Sequence, residues 1–199
     1  DLQTAVSATL PQVMQAFLVS TVLVALAVLG DKTQERSLVL AARFRKPWPI
    51  VWGILAATLA NHALAGALGN WLSGLLSPDI LRWVLVASFV AMAVWMLIPD
   101  KLDEDEQPSQ PRYGVFLTTV ALFFLAEMGD KTQIATVALA ARFDDWLWVV
   151  AGTTIGMMLA NVPVVFLGER ITRLLPMQWV HRICAAIFIV LALTAALWP

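Results

Sequence analysis

Charged residues are confined to short intervals along this chain, and between them lie long apolar runs. Stretches without Asp, Glu, Lys or Arg cover residues 2–30, 47–78, 83–99, 113–126, 146–168 and 183–199. A helix crossing a hydrocarbon core of about 30 Å needs about 20 such residues. The fourth run reaches that length only if it continues through Glu127, Asp130 and Lys131 to Ala141. The first likewise continues past Asp31 towards Arg43. The pattern predicts six spans, at 10–34 (extending to 43), 49–73, 79–98, 114–142, 146–168 and 178–198. Residues 99–113, acidic and with three prolines, break the pattern and read as a solvated linker.

Composition agrees. The chain is 60% apolar and 14% charged, whereas soluble domains carry about 25% charged residues. A net charge of -1 gives no general attraction to nucleic acid. Cys184 is the single cysteine, which excludes a disulfide framework and a thiolate cluster. Basic residues orient the spans. Arg43, Arg45, Lys46, Lys101, Arg112, Arg170, Arg173 and Arg182 fall on the linker side, and Arg82 and Arg142 on the other. Arg36 and the motif lysines stay out of that count as residues of the membrane region. The linker side is therefore expected in the cytoplasm and both termini outside.

The polar positions inside the spans carry the chemistry. Gly30-Asp-Lys-Thr-Gln34 recurs as Gly129-Asp-Lys-Thr-Gln133, and residues 30–44 and 129–143 are identical at 10 of 15 positions. At the same 99-residue offset Gly53 matches Gly152 and Gly69 matches Gly168; with one more residue, Asn61 matches Asn161. Three spans form each repeat, and an odd number forces the second repeat to enter the membrane upside down. The expectation is an all-α membrane protein: six transmembrane helices as two inverted three-helix repeats (1–98 and 113–199), with broken or kinked motif helices in the first and fourth spans. Its parts are a first repeat 1–98, an acidic cytoplasmic linker 99–113 and a second repeat 114–199.

Ionisable groups within a span are costly and point to function. Glu127 and Asp130, three residues apart, share a helix face, and Gly129 between them permits unwinding. With Asp31, Thr33, Thr132, Gln34 and Gln133 they form an all-oxygen donor set suited to hard divalent cations, manganese, calcium or magnesium. Freed backbone carbonyls are further candidate ligands. Asn61 and Asn161 line the cavity or bond helices together. Lys32 and Lys131 balance the neighbouring aspartates, cap helix ends or snorkel. A proton and a cation competing for the same carboxylates is the simplest coupling for exchange. His62 is a packing residue or a proton relay. Most tryptophans (48, 71, 83, 146, 148, 179, 198) lie near span ends, as in an aromatic belt.

Two copies of Glu-x-Gly-Asp-Lys-Thr/Ser in a six-helix chain of about 200 residues resemble the Gdt-type cation exchangers. That family includes Golgi calcium/manganese–proton exchangers and bacterial manganese exporters. The resemblance covers essentially the whole chain, and the Ala-Ala-Arg-Phe after each motif looks like the bacterial manganese branch. It implies export of manganese, or calcium in some members, against protons, with the motif acids as the cation site and no resident cofactor. It also implies a bacterial inner membrane. One departure stands out: Val28 occupies the glutamate position of the first motif, leaving Asp31, Glu127 and Asp130 as motif acids. Glu35, two turns on, either supplies a displaced carboxylate or pairs with Arg36 or Arg43.

Other readings stay open. A calcium–proton exchanger would use the same oxygens, and a cation channel would use the acids as a selectivity ring. LysE-like amino-acid exporters are also small six-helix proteins. An enzyme is disfavoured, since neither His-Glu-x-x-His nor Gly-x-Ser-x-Gly occurs and His62 and His181 form no ligand pair. The expected partners are a divalent metal ion, protons and the lipid bilayer. Nothing in the pattern sets an oligomeric state.

Overall fold

The computed structural model describes residues 2–98, 113–168, 170, 174 and 176–197, with backbone alone for 2–10. Among these residues eight helices with defined bounds follow in order: α1 Leu2–Val28, α2 Lys32–Phe44, α3 Pro47–Leu75, α4 Pro78–Met96, α5 Val115–Glu127, α6 Lys131–Arg142, α7 Trp146–Leu167 and α8 Met177–Ala196. Pro47 and Pro78 occupy first-turn positions of α3 and α4, where a missing N–H costs nothing. Arg45 closes α2 in the left-handed region, φ 51°, and its N–H returns to Ala41 O. Pro163 lies inside α7, which continues to Leu167.

Among the described residues five helices are long and apolar enough to cross a membrane: α1 (Pro11–Val28), α3, α4, α7 and α8. The fourth expected span is divided into α5 and α6, of 13 and 12 residues, neither long enough to cross by itself. The acidic linker, apart from Tyr113, lies outside the described residues, as do Arg173 and Trp198.

The distribution of side chains is the reverse of a soluble protein's. Leu18, Leu59, Leu64, Leu68, Leu159 and Leu193 are exposed, while Asp31, Gln34, Asn61, His62, Glu127, Asp130, Lys131 and Asn161 are buried. Trp48, Trp71, Trp83, Trp148 and Trp179 are also exposed, and Trp146 half-buried. An apolar exterior with polar and charged groups kept in the interior is what lipid solvation selects.

Small residues bring the interior together. A Cβ added to Gly152 or Gly156 would come within 2.5 Å of the Phe17 or Thr21 carbonyl oxygen, so α7 lies directly on the backbone of α1. Gly53 faces Thr119 on α5, and Gly69 faces Val137 and Ala140 on α6. The main apolar cluster includes Phe89 of α4 and Phe188 of α8, with ring centroids 6.3 Å apart. This packing leaves both motif copies inside the helical assembly.

Candidate metal centre at the two helix breaks

Each Gly-Asp-Lys-Thr-Gln copy interrupts a helix at the same place. Gly30 and Gly129 take φ of 73° and 77°, a region disfavoured for residues with a Cβ. The chain then restarts with Asp31 and Asp130 at the N-caps of α2 and α6. A carboxylate is favoured at the positive end of the helix dipole, which partly offsets the cost of burying it. Both aspartates are 3% exposed.

The glutamines fix these turns. Gln34 Oε1 accepts from Gly30 N at 2.9 Å, and Gln133 Oε1 accepts from Gly129 N. Buried Gln34 also donates through Nε2 to Ala160 O on α7, at 3.0 Å. Half-buried Gln133 instead bonds within its own motif, with Nε2 3.6 Å from Met128 Sδ. In this arrangement the glutamine amides cap the breaks.

The two copies meet at Glu127, which is 1% exposed. Thr33 Oγ1 of the first copy donates to Glu127 Oε1 at 2.7 Å, and Thr132 Oγ1 of the second donates to Oε2 at 3.1 Å. Arg36 Nη1 lies 3.9 Å from the same Oε1. Lys32 Nζ stands 3.2 Å from Asp130 Oδ1, so this lysine balances the aspartate of the other copy as well as adjoining its own. Asp31 Oδ1 accepts from the Lys32 backbone N at 2.7 Å. Lys131 is buried, donates to Ile98 O at 3.2 Å just past the end of α4, and lies 5.8 Å from the Trp95 ring centroid.

The remaining candidates divide. Asn161 Oδ1 accepts from Ser37 Oγ at 2.6 Å, and its Nδ2 donates to Met157 O, which ties α7 to α2. Asn61 Nδ2 makes a long bond of 3.4 Å to Phe124 O. Asn61 Oδ1 and both His62 ring nitrogens are buried without a hydrogen-bond partner among the described residues. Val28 is wholly buried in an apolar cluster with Val24, Met157 and Ala160. Glu35 is exposed, and Arg36 Nη1 comes to 3.9 Å from Glu127 Oε1.

Two contributors escaped the sequence reading. His181 on α8 places Nε2 2.9 Å from Leu29 O, a carbonyl left by the first break. Arg36 reaches the acid pair from α2. Among the described residues no three His, Cys, Asp or Glu side chains are gathered as a ready cage for a metal. The acids of the second copy face the hydroxyl and cations of the first instead.

A family model described as "Divalent cation/proton antiporter GDT1" matches residues 16–104 and 115–198. The chain belongs to the GDT1 family. A Vibrio cholerae protein named "Putative manganese exporter" is 52% identical over 185 residues, covering 92% of each chain. A GDT1-like protein of Synechocystis is 30% identical over 176 residues, covering 78% of this chain and 84% of that protein. GDT1-like protein 5 of Arabidopsis thaliana is 25% identical over 223 residues, covering 94% and 97%. No solved structure matches. The two matched blocks of this GDT1 protein each contain one complete helix break with its Gly-Asp-Lys-Thr-Gln.

Proposed function

We propose that this GDT1 protein exports manganese in exchange for protons, by alternating access around a midplane site built from Glu127, Asp130 and Asp31. The observation that carries this reading is the bridge from Thr33 to Glu127 and from Lys32 to Asp130, which joins the two motif copies. Threonine hydroxyls and carboxylates are hard oxygen donors, which suit manganese and calcium better than zinc or copper. The 52%-identical Vibrio protein named for manganese favours manganese over calcium. Six spans in two inverted repeats, 1–98 and 114–199, place the copies on opposite sides of a pseudo-two-fold axis. Gln34 bonding across to α7 while Gln133 stays within its motif supports two repeats held in different arrangements, as alternating access requires. The termini lie outside, the linker in the cytoplasm, and the membrane is the bacterial inner one.

The test is transport in proteoliposomes with manganese, calcium or magnesium and an entrapped pH reporter. Saturable manganese uptake accompanied by proton movement in the opposite direction is expected. Metal movement that neither carries protons nor responds to an imposed pH gradient would overturn the exchanger reading and favour a channel.

A further inference from the structure

The two motif copies differ in charge in a way that the structure turns into a contact. Where the second copy has Glu127, the first has Val28; where the second has Ala135, the first has Arg36. The first copy has thus lost a buried anion and gained a mostly buried cation, while its additional Glu35, opposite Ile134, is exposed. Arg36 is four residues after Lys32, one helical turn along the same face of α2. Its side chain is only 12% exposed, and a buried guanidinium requires a compensating partner. Lys32 Nζ meets Asp130 Oδ1 at 3.2 Å and Arg36 Nη1 approaches Glu127 Oε1 at 3.9 Å. Two cations on one helix thus address two carboxylates three residues apart on the other repeat. Their combined charge equals that of one divalent ion.

We infer that Arg36 is an affinity-setting positioning residue, a tethered cation that competes with the transported divalent ion for Glu127. A metal ion reaches Glu127 and Asp130 by displacing Arg36 together with Lys32. The exchange of two tethered charges for one divalent ion leaves the net charge of the buried site unchanged. A monovalent ion leaves it a charge short, so Arg36 selects for divalent cargo by penalising the alternative. The competition also weakens binding, which speeds release. This inference rests on the proposed metal site.

The test compares equilibrium Mn2+ binding to the purified full chain, read from the EPR signal of free Mn2+, with transport KM and kcat in proteoliposomes. Arg36→Gln is expected to tighten Mn2+ binding on the order of tenfold and to lower kcat. Arg36→Lys, which keeps the charge, is expected to bind close to the parent value. In the unsubstituted protein, Mn2+ is expected to increase modification of Arg36 by phenylglyoxal, quantified by mass spectrometry, and this arm stands even if the glutamine variant does not fold. Unchanged or weaker Mn2+ binding in a folded Arg36→Gln overturns the inference, as does protection of Arg36 by Mn2+ or no change in its modification. If the parent binds no Mn2+ at all, the metal-site reading falls and this one with it; parent binding with an unaffected variant sinks this one alone.

Discussion

Thr33 and Glu127 are 94 residues apart in the chain, yet the hydroxyl of one donates to the carboxylate of the other at 2.7 Å. The bond reaches Oε1 from the other motif copy, so in the proposed metal site Thr33 is expected to tune affinity without itself carrying charge. A hydrogen bond to a charged group contributes roughly 1.5–3 kcal/mol, enough to change an affinity on the order of tenfold or more. Thr33→Val is expected to raise KM for manganese by that factor, and Thr33→Ser to stay near the parent. Initial rates in vesicles at matched protein amounts check this; an unchanged KM in the valine variant removes Thr33 from the site.

The acids are expected to differ in what their loss costs. Glu127→Gln and Asp130→Asn remove charges from the meeting point of the repeats, and transport should fall by on the order of a hundredfold or more. Asp31 has a second role, since its Oδ1 caps the first turn of α2. Asn caps about as well as Asp, so Asp31→Asn should leave the melting temperature almost unchanged. A transport loss in that variant then reports the metal site and not the fold. Manganese efflux measured beside thermal unfolding separates the two, and full transport by Asp31→Asn would exclude Asp31 as a ligand.

Five of the six expected spans correspond to long apolar helices, and these, the helix breaks and the burial of the motif acids were legible in the sequence, because charge inside an apolar run and a doubled motif are one-dimensional signals. The break at Gly30 and Gly129 needed only a glycine next to an aspartate. Partner choice was not legible. Lys32 adjoins Asp31 in sequence, but the helix restart at Asp31 also turns its ammonium towards Asp130. The sequence did not show that each break exposes an N–H that the nearest glutamine amide oxygen takes. His181 lay far from any motif, and only the packing of α8 brings it to Leu29. Arg36 did leave a trace: a charged residue at a position where the matching copy has alanine, on the lysine face of α2.

Val28 bears directly on the departure from the family motif. Its side chain is wholly buried in an apolar cluster with Val24, Met157 and Ala160. A carboxylate there costs several kcal/mol unless it is paired or protonated. Val28→Glu is therefore expected to lower the melting temperature without metal and to bind Mn2+ more tightly, with the metal restoring stability by mass action. Thermal unfolding across a manganese titration checks both parts. A destabilised variant that manganese does not rescue places position 28 outside the site.

Packing of α7 on α1 holds the first break in place, and glycine is what permits it. A Cβ on Gly156 would stand 2.5 Å from Thr21 O and 3.0 Å from Ala25 N, both backbone atoms of α1. Neither can yield by a rotamer change, so the two helices must separate. Overpacking of this kind costs typically 1–3 kcal/mol. At Gly74, near the end of α3, an added Cβ meets nothing within 4 Å among the described residues. There alanine gains the helix preference that glycine lacks, roughly 0.5–1 kcal/mol. Gly156→Ala should thus lower the unfolding temperature and the transport rate together, because α1 carries Val28 and leads into Gly30. Gly74→Ala should do neither. Equal stability in the two variants would mean that the α1–α7 contact is not what positions the first motif.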